Sequence, residues 1–177
     1  AARAAFEGEW GTMPAAERGR LMRKLGELLT RDAEMLGQVE SRDNGKIIRE
    51  TGAQAKGLQS YYDFFAGQAD KISGEKLPNP ASNFLVYTEK VPVGVVGAII
   101  PWNSPLSLLT WKLAPLLAAG CTAVVKPSDI TPVTALLLAE RATEAGFPAG
   151  VINIVTGGAE VGAAISALIA SSSASPS

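Results

Sequence analysis

The residues of this chain best placed to do chemistry stand in three short groups. The first is Pro101-Trp102-Asn103-Ser104, with Pro105 after it. It closes an apolar run, Val93 to Ile100, that reads as a buried strand covered on both faces. Two prolines fix φ on either side of one amide, Asn103, so the turn is stiff. A held amide can donate a hydrogen bond to a ligand such as a nucleotide, or it can simply cap the helix that follows. The second group is Lys126-Pro127-Ser128-Asp129, an ammonium and a carboxylate at the end of another apolar run. Such a pair suits ribose hydroxyls, and it also suits an ordinary surface ion pair. The third is Thr156-Gly157-Gly158, leading into Glu160 and Gly162. Its glycines would let backbone N–H groups approach a phosphate, or would serve only a tight turn with close helix packing. This is not a G-x-G-x-x-G, and none of the three signals is strong alone. They become specific if they share one rim.

Elements that would put them on one rim follow from periodicity. Strand Val93–Ile100 precedes a helix over Leu106–Ala119, strand Thr122–Lys126 a helix over Pro132–Ala145, and strand Val151–Val155 a helix over Glu160–Ala170. Each unit takes about 30 residues, the size of a βαβ crossover. Right-handed crossovers make the sheet parallel and bring all three strand ends, with their loops, to one edge. Upstream, two amphipathic helices are expected. One begins near Pro14, with Thr12 as N-cap, and runs to Asn44-Gly45. The other starts at about Lys46 and buries Ile47, Ile48, Thr51, Ala55, Leu58, Tyr62 and Phe65, with Tyr61 and Phe64 also in the core. Between helices and sheet lie a Gly/Pro/Asn-rich loop, Ser73–Ser82, and a half-polar strand, Phe84–Val91. The fold class is therefore α/β, a partial doubly wound parallel sheet of Rossmann-like type preceded by two amphipathic helices. The boundaries are a helical part over 1–72, an arm-like loop and strand over 73–92, a βαβ core over 93–170 and a disordered serine-rich tail over 171–177.

Composition narrows the function. The 177 residues are 47% hydrophobic and 19% charged, with a net charge of −1. No global field favours nucleic acid or an anionic membrane. Of the 33 charged side chains, 24 fall in the first 76 positions, which marks surface helices there and an interior sheet beyond. Histidine is absent, which excludes a histidine base, triad or metal ligand within these residues. A single cysteine, Cys121, excludes an intrachain disulfide and points to a reducing, cytoplasmic setting. Leu106–Val125 is apolar but interrupted by Lys112, Pro115 and Gly120, so it divides into a helix and a strand rather than a membrane span. No secretory leader opens the chain, and the lack of an initiator Met suggests that it begins inside a longer protein.

Several separated motifs, in order, are similar to the NAD(P)-dependent aldehyde dehydrogenase superfamily. They are Pro92-Val93-Gly94-Val95-Val96, Ile100-Pro101-Trp102-Asn103, Trp111-Lys112-Leu113-Ala114-Pro115, Ala118-Ala119-Gly120-Cys121-Thr122, Val125-Lys126-Pro127-Ser128-Asp129 with Thr131-Pro132, and Ala145-Gly146-Phe147-Pro148 with Gly150-Val151-Ile152-Asn153. Asp43-Asn44-Gly45-Lys46 fits the family's first helical region. The resemblance runs from near residue 1 to about Ala167 and concerns the amino-terminal part of the family. It implies oxidation of a small-molecule aldehyde to a carboxylic acid with NAD, or with NADP. Asn103 would be the catalytic oxyanion donor. Ile99, Ile100, Pro101, Trp102, Lys126, Ser128, Asp129, Gly158 and Gly162 would bind the cofactor. Asp129, where the family often has Glu, would favour NAD over NADP. The strand over 84–91 would belong to an arm that builds homodimers or tetramers. In the family a cysteine thiolate attacks the aldehyde and a glutamate-activated water releases the acid, and both residues lie beyond the third βα unit. Cys121 aligns with a variable position and reads as core, so the chain by itself is expected to be inactive. The rival readings are a non-catalytic nucleotide-binding module and a semialdehyde or acylating relative.

Overall fold

A computed structural model describes residues 1–78 and 83–173. Two short helices, α1 (Ala2–Glu7) and α2 (Glu9–Thr12), precede α3 (Ala15–Arg31), α4 (Ala33–Asn44) and α5 (Ile48–Gln68). A small antiparallel pair, β1 (Lys76–Leu77) and β2 (Val86–Tyr87), follows. The βα units are β3 (Val95–Ile100) with α6 (Pro105–Ala118), β4 (Thr122–Pro127) with α7 (Val133–Ala145), and β5 (Ile152–Ile154) with α8 (Ala159–Ser173). The sheet is parallel in the order β3-β4-β5. Its register runs Val95↔Thr122 to Ile100↔Pro127, and Ala123↔Ile152 to Val125↔Ile154. This is the expected partial Rossmann-like α/β sheet. All three strands end at one edge, so the three loops do share a rim.

The central strand explains the apolar runs. In β4, Thr122, Ala123, Val125 and Lys126 are all buried, so both faces of the strand are covered. β3 differs from expectation. Ala98 and Ile100 point into the core, but Ile99 is 54% exposed, so its other face is open among the described residues. Helices α6 and α7 pack on each other and on the sheet, while α8 returns to β3 and β4. Buried leucines of α3 and α6, with Leu58 and Tyr62 of α5, join the helical layer to the sheet in one continuous core.

Several local expectations are corrected. The first long helix is two helices with Asp32 between them, and the Asp32 carboxylate accepts from Arg31 and Arg141. Thr12 ends α2 rather than capping α3, whose N-cap is Pro14. Gly45, at φ 74°, ends α4 as foreseen. Ile47 and Ile48 lie at the solvent-facing start of α5, 62% and 56% exposed. Tyr61 and Phe64 are exposed as well, whereas Tyr62 is fully buried. The strand over 84–91 is ordered as strand only at Val86–Tyr87. Residues 171–173, placed in the tail, close α8; the rest of the tail and positions 79–82 of the loop lie outside the described residues. No helix among the described residues is long and apolar enough to cross a membrane.

The break at Asp32 carries an acid-sensitive clasp. Asp32 accepts from Arg141 Nε at 2.6 Å and Arg31 Nε at 2.7 Å, and Arg31 also reaches Glu144 of α7. The bond from Arg31, and then that from Arg141, hold the Asp32 carboxyl well below its ordinary 3.8. A depressed carboxyl contributes stability that is present above the unfolded value and lost as pH falls through the folded one. Unfolding midpoints of the wild type should therefore drop steeply as pH falls below 3.8, and Asp32→Asn should flatten that limb while lowering stability at neutral pH. Urea unfolding at a series of pH values checks this, and parallel curves for both proteins would contradict it.

Candidate functional site

The rim carries two clefts on either side of the β3–α6 turn. The first, of about 630 Å³, is lined by Ile99, Ile100, Pro101, Lys126, Ser128, Asp129, Gly158 and Gly162, with Ala159, Ala163 and Ser166. The second, of about 390 Å³, lies between α5 and α6 and is lined by Gln54, Gly57, Leu58, Tyr61, Asn103, Ser104, Ser107, Leu108 and Trp111. Eight of the nine residues expected to bind a cofactor thus meet in one place. Trp102 is exposed on the turn but does not line that cleft, and Asn103 faces the neighbouring one.

Each position has a local cause. Ile99 reaches the cleft because strand alternation turns it away from the core side taken by Ala98 and Ile100. Lys126 is 6% exposed, and its Nζ donates to the Pro127 carbonyl at 2.9 Å. No carboxylate pairs with it among the described residues, so a buried cation keeps unused donors on the cleft floor. Asp129 stands exposed at the same strand end, with a long 3.5 Å approach from Ser128 Oγ as its one side-chain hydrogen bond among the described residues. The third loop departs from expectation in one respect. The Gly158 N–H is not free for a phosphate, because Glu160 Oε1 accepts it at 3.1 Å. Gly162 acts instead through its missing side chain. A Cβ there would sit 3.6 Å from Lys126 Cδ and 3.7 Å from Ile99 Cδ1, over the cleft floor.

On the α8 side of the cleft the sequence points to Gly162, and the structure adds Ala159, Ala163 and Ser166. Ala159, Gly162, Ala163 and Ser166 form one face of small residues at helical spacing, a signal the sequence did carry. The core placement of Tyr61 is also corrected: its ring lies tilted against Trp111, centroids 5.9 Å apart, in the wall of the second cleft. The Asn103 amide accepts and donates no hydrogen bond within the protein among the described residues; only its main-chain carbonyl is used, by Ser104 Oγ at 2.7 Å. Cys121 is buried, 3% exposed, at the opposite end of β4 from the rim.

Comparison with known proteins gives the family of the chain. Residues 1–169 match the model of the aldehyde dehydrogenase family. The chain belongs to that family. Among its relatives, mouse cytosolic aldehyde dehydrogenase 1 is 48% identical over 174 residues, which covers 94% of this chain and 34% of that protein. An Acinetobacter baylyi dehydrogenase acting on (Z)-2-((N-methylformamido)methylene)-5-hydroxybutyrolactone is 45% identical over 168 residues, with the same two coverages of 94% and 34%. The NAD+ complex of the Bacillus cereus aldehyde dehydrogenase superposes with a TM-score of 0.89 at 44% identity, covering 93% of this chain and 34% of that one. The chain thus spans about a third of the length of the aldehyde dehydrogenases it matches.

Proposed function

We propose that this chain is the cofactor-binding part of an NAD-dependent aldehyde dehydrogenase that oxidises a small aldehyde to its carboxylic acid. The observation that carries the reading is the turn over 101–104. It presents Pro101, with Ile99 and Ile100, to one cleft and Asn103 to the next, as a reaction between a cofactor and a small carbonyl compound requires. NAD, when bound, accepts the hydride. Lys126 and Asp129 hold the ribose hydroxyls, Ser128, Gly158 and Gly162 shape the adjoining wall, and Ile99, Ile100 and Pro101, with Trp102 beside them, form the apolar side. An exposed carboxylate at Asp129 repels a 2′-phosphate, which favours NAD over NADP. In the second cleft the free amide of Asn103 donates to the oxygen that becomes an oxyanion when a thiolate adds to the carbonyl. Cys121 is too buried, and on the wrong end of the sheet, to be that thiolate. The nucleophile comes from outside these 177 residues, so they should form no NADH by themselves.

The same reading places the enzyme in the cytoplasm and in a homo-oligomer. The unpaired thiol of Cys121 supports the first. The second is supported by Phe84, Leu85, Tyr87 and Val91, 62–70% exposed on and around β2.

Gly162→Leu tests the cofactor cleft. A leucine suits the helix better than glycine does, so the fold should hold. Its side chain would fill the space over Ile99 and Lys126, and the KM for NAD in the full-length enzyme should rise at least about tenfold, the value of some 1.4 kcal/mol. Calorimetric titration with NAD checks binding directly. An unchanged affinity would move the cofactor elsewhere, and tight NAD binding by a full-length protein that oxidises no aldehyde would favour the non-catalytic alternative.

A further inference from the structure

The segment over 40–46 touches the Asn103 turn at two well-made points. Glu40, 3% exposed on α4, accepts from the Leu106 N–H through Oε2 at 3.2 Å. Lys46 donates through Nζ to Ser104 Oγ at 2.9 Å and to Gln54 Oε1 of α5 at 3.1 Å. A third and weaker contact runs from Asn44 Nδ2 to the Trp102 carbonyl at 3.5 Å. The segment is itself a built turn. Gly45 is left-handed, Ser41 Oγ donates to the Lys46 carbonyl at 2.6 Å, and the Lys46 N–H donates to Asn44 Oδ1 at 2.9 Å.

These contacts replace what α6 lacks at its own start. Its N-cap, Ser104, makes no capping hydrogen bond, because the hydroxyl donates to the Asn103 carbonyl and accepts from Lys46. Pro105 has no N–H, so Leu106 carries the first free donor of the helix. A carboxylate supplied by another helix satisfies it, in the place where a helix favours negative charge. Burial pushes the Glu40 carboxyl above its ordinary value, and Lys46 is among the groups that pull it back.

We propose that Glu40 and Lys46 are positioning residues that brace Ser104 and Leu106, and thereby fix where the Asn103 amide points. The inference rests on the reading of Asn103 as the oxyanion donor. An amide that must meet a developing charge within a few tenths of an ångström depends on its neighbours for aim, and misplacement by about 1 Å can cost a hundredfold in rate.

The test uses the full-length enzyme, with Lys46→Met, Ser104→Ala, Asn103→Ala and the double variants of each of the first two with Asn103→Ala. Ser104→Ala removes a single atom, and it breaks the same bond from the turn side if Lys46→Met does not fold. Both should lower kcat at least about tenfold while leaving the fluorescence-measured affinity for NAD unchanged, and Lys46→Arg should restore most of the loss. In the Asn103→Ala background each should cost less than about twofold more, since there is no donor left to aim. Losses that multiply in that background would assign the two residues a purely structural role and overturn the proposal. So would unchanged kcat in the single variants beside a slow Asn103→Ala. A full-rate Asn103→Ala would instead sink the oxyanion reading, and the brace with it.

Discussion

Asn103→Ala should lower kcat of the full-length enzyme by about a hundredfold to a thousandfold, or some 2.7–4 kcal/mol of transition-state stabilisation, the range seen when one oxyanion donor is removed. The amide is exposed and makes no hydrogen bond within the protein among the described residues, so nothing in the fold depends on it. Thermal stability should therefore stay within about 0.5 kcal/mol of wild type. The side chain lines the second cleft and not the first, so the affinity for NAD should also hold. Asn103→Asp should be slower still, because it keeps the shape but sets a carboxylate against the developing negative charge. Steady-state kinetics with calorimetry on the same samples separates the three quantities. A kcat within about threefold of wild type would leave Asn103 as a residue of the turn alone, since even a modest oxyanion contact exceeds that ratio.

What the sequence made legible, and what it did not, divides by the range of the interactions involved. The three βα units read correctly because their signals are local: apolar runs for strands, Pro105 at a helix start, Gly146 in the left-handed conformation at a helix end. Right-handed crossovers bring the strand ends to a shared rim, and with it the company kept by Ile99, Lys126, Asp129 and Gly162, whereas the order β3-β4-β5 is known only from the structure. The break at Asp32 was not legible. No Gly or Pro marks it, and one of the two arginines that bond Asp32 there is Arg141, 109 residues away. The brace was hidden for the same reason. Glu40 and Lys46 look like ordinary surface charges of a helix end until α6 arrives beneath them. Tyr61 was misassigned because the aromatics of Tyr61-Tyr62-Asp63-Phe64-Phe65 span several helical faces, and of them only Tyr62 turns fully inward while Tyr61 lies against the half-exposed Trp111. The exposure of Ile99 has another origin: an apolar strand predicts cover on both faces, and the first cleft is where that cover is missing.

The opposite end of the sheet predicts the opposite behaviour. Trp10, fully buried in α2, donates from Nε1 to the Cys121 carbonyl at 3.0 Å and packs on Phe147 with ring centroids 5.6 Å apart. Close by, Thr122 Oγ1 donates to the Ala2 carbonyl at 3.1 Å. The two contacts pin α1 and α2 to the start of β4, six residues of strand away from the rim. Trp10→Ala would empty a large buried site beside the Phe147 ring and the entry to β4, and should cost about 3–5 kcal/mol. Trp10→Phe keeps most of the volume but leaves the buried Cys121 carbonyl without its donor, and should cost about 1–3 kcal/mol. Both should lower the thermal midpoint and speed hydrogen exchange at the Ala123 and Val125 amides. Neither should change kcat at a temperature where the protein is folded, because the strand carries no contact from Trp10 to Asn103. Asn103 and Trp10 thus form a crossed pair, one expected to alter rate without stability and the other stability without rate. A Trp10→Phe enzyme with a lowered kcat but an unshifted midpoint would break that division. It would mean that the seating of α2 beneath the sheet is felt at the rim.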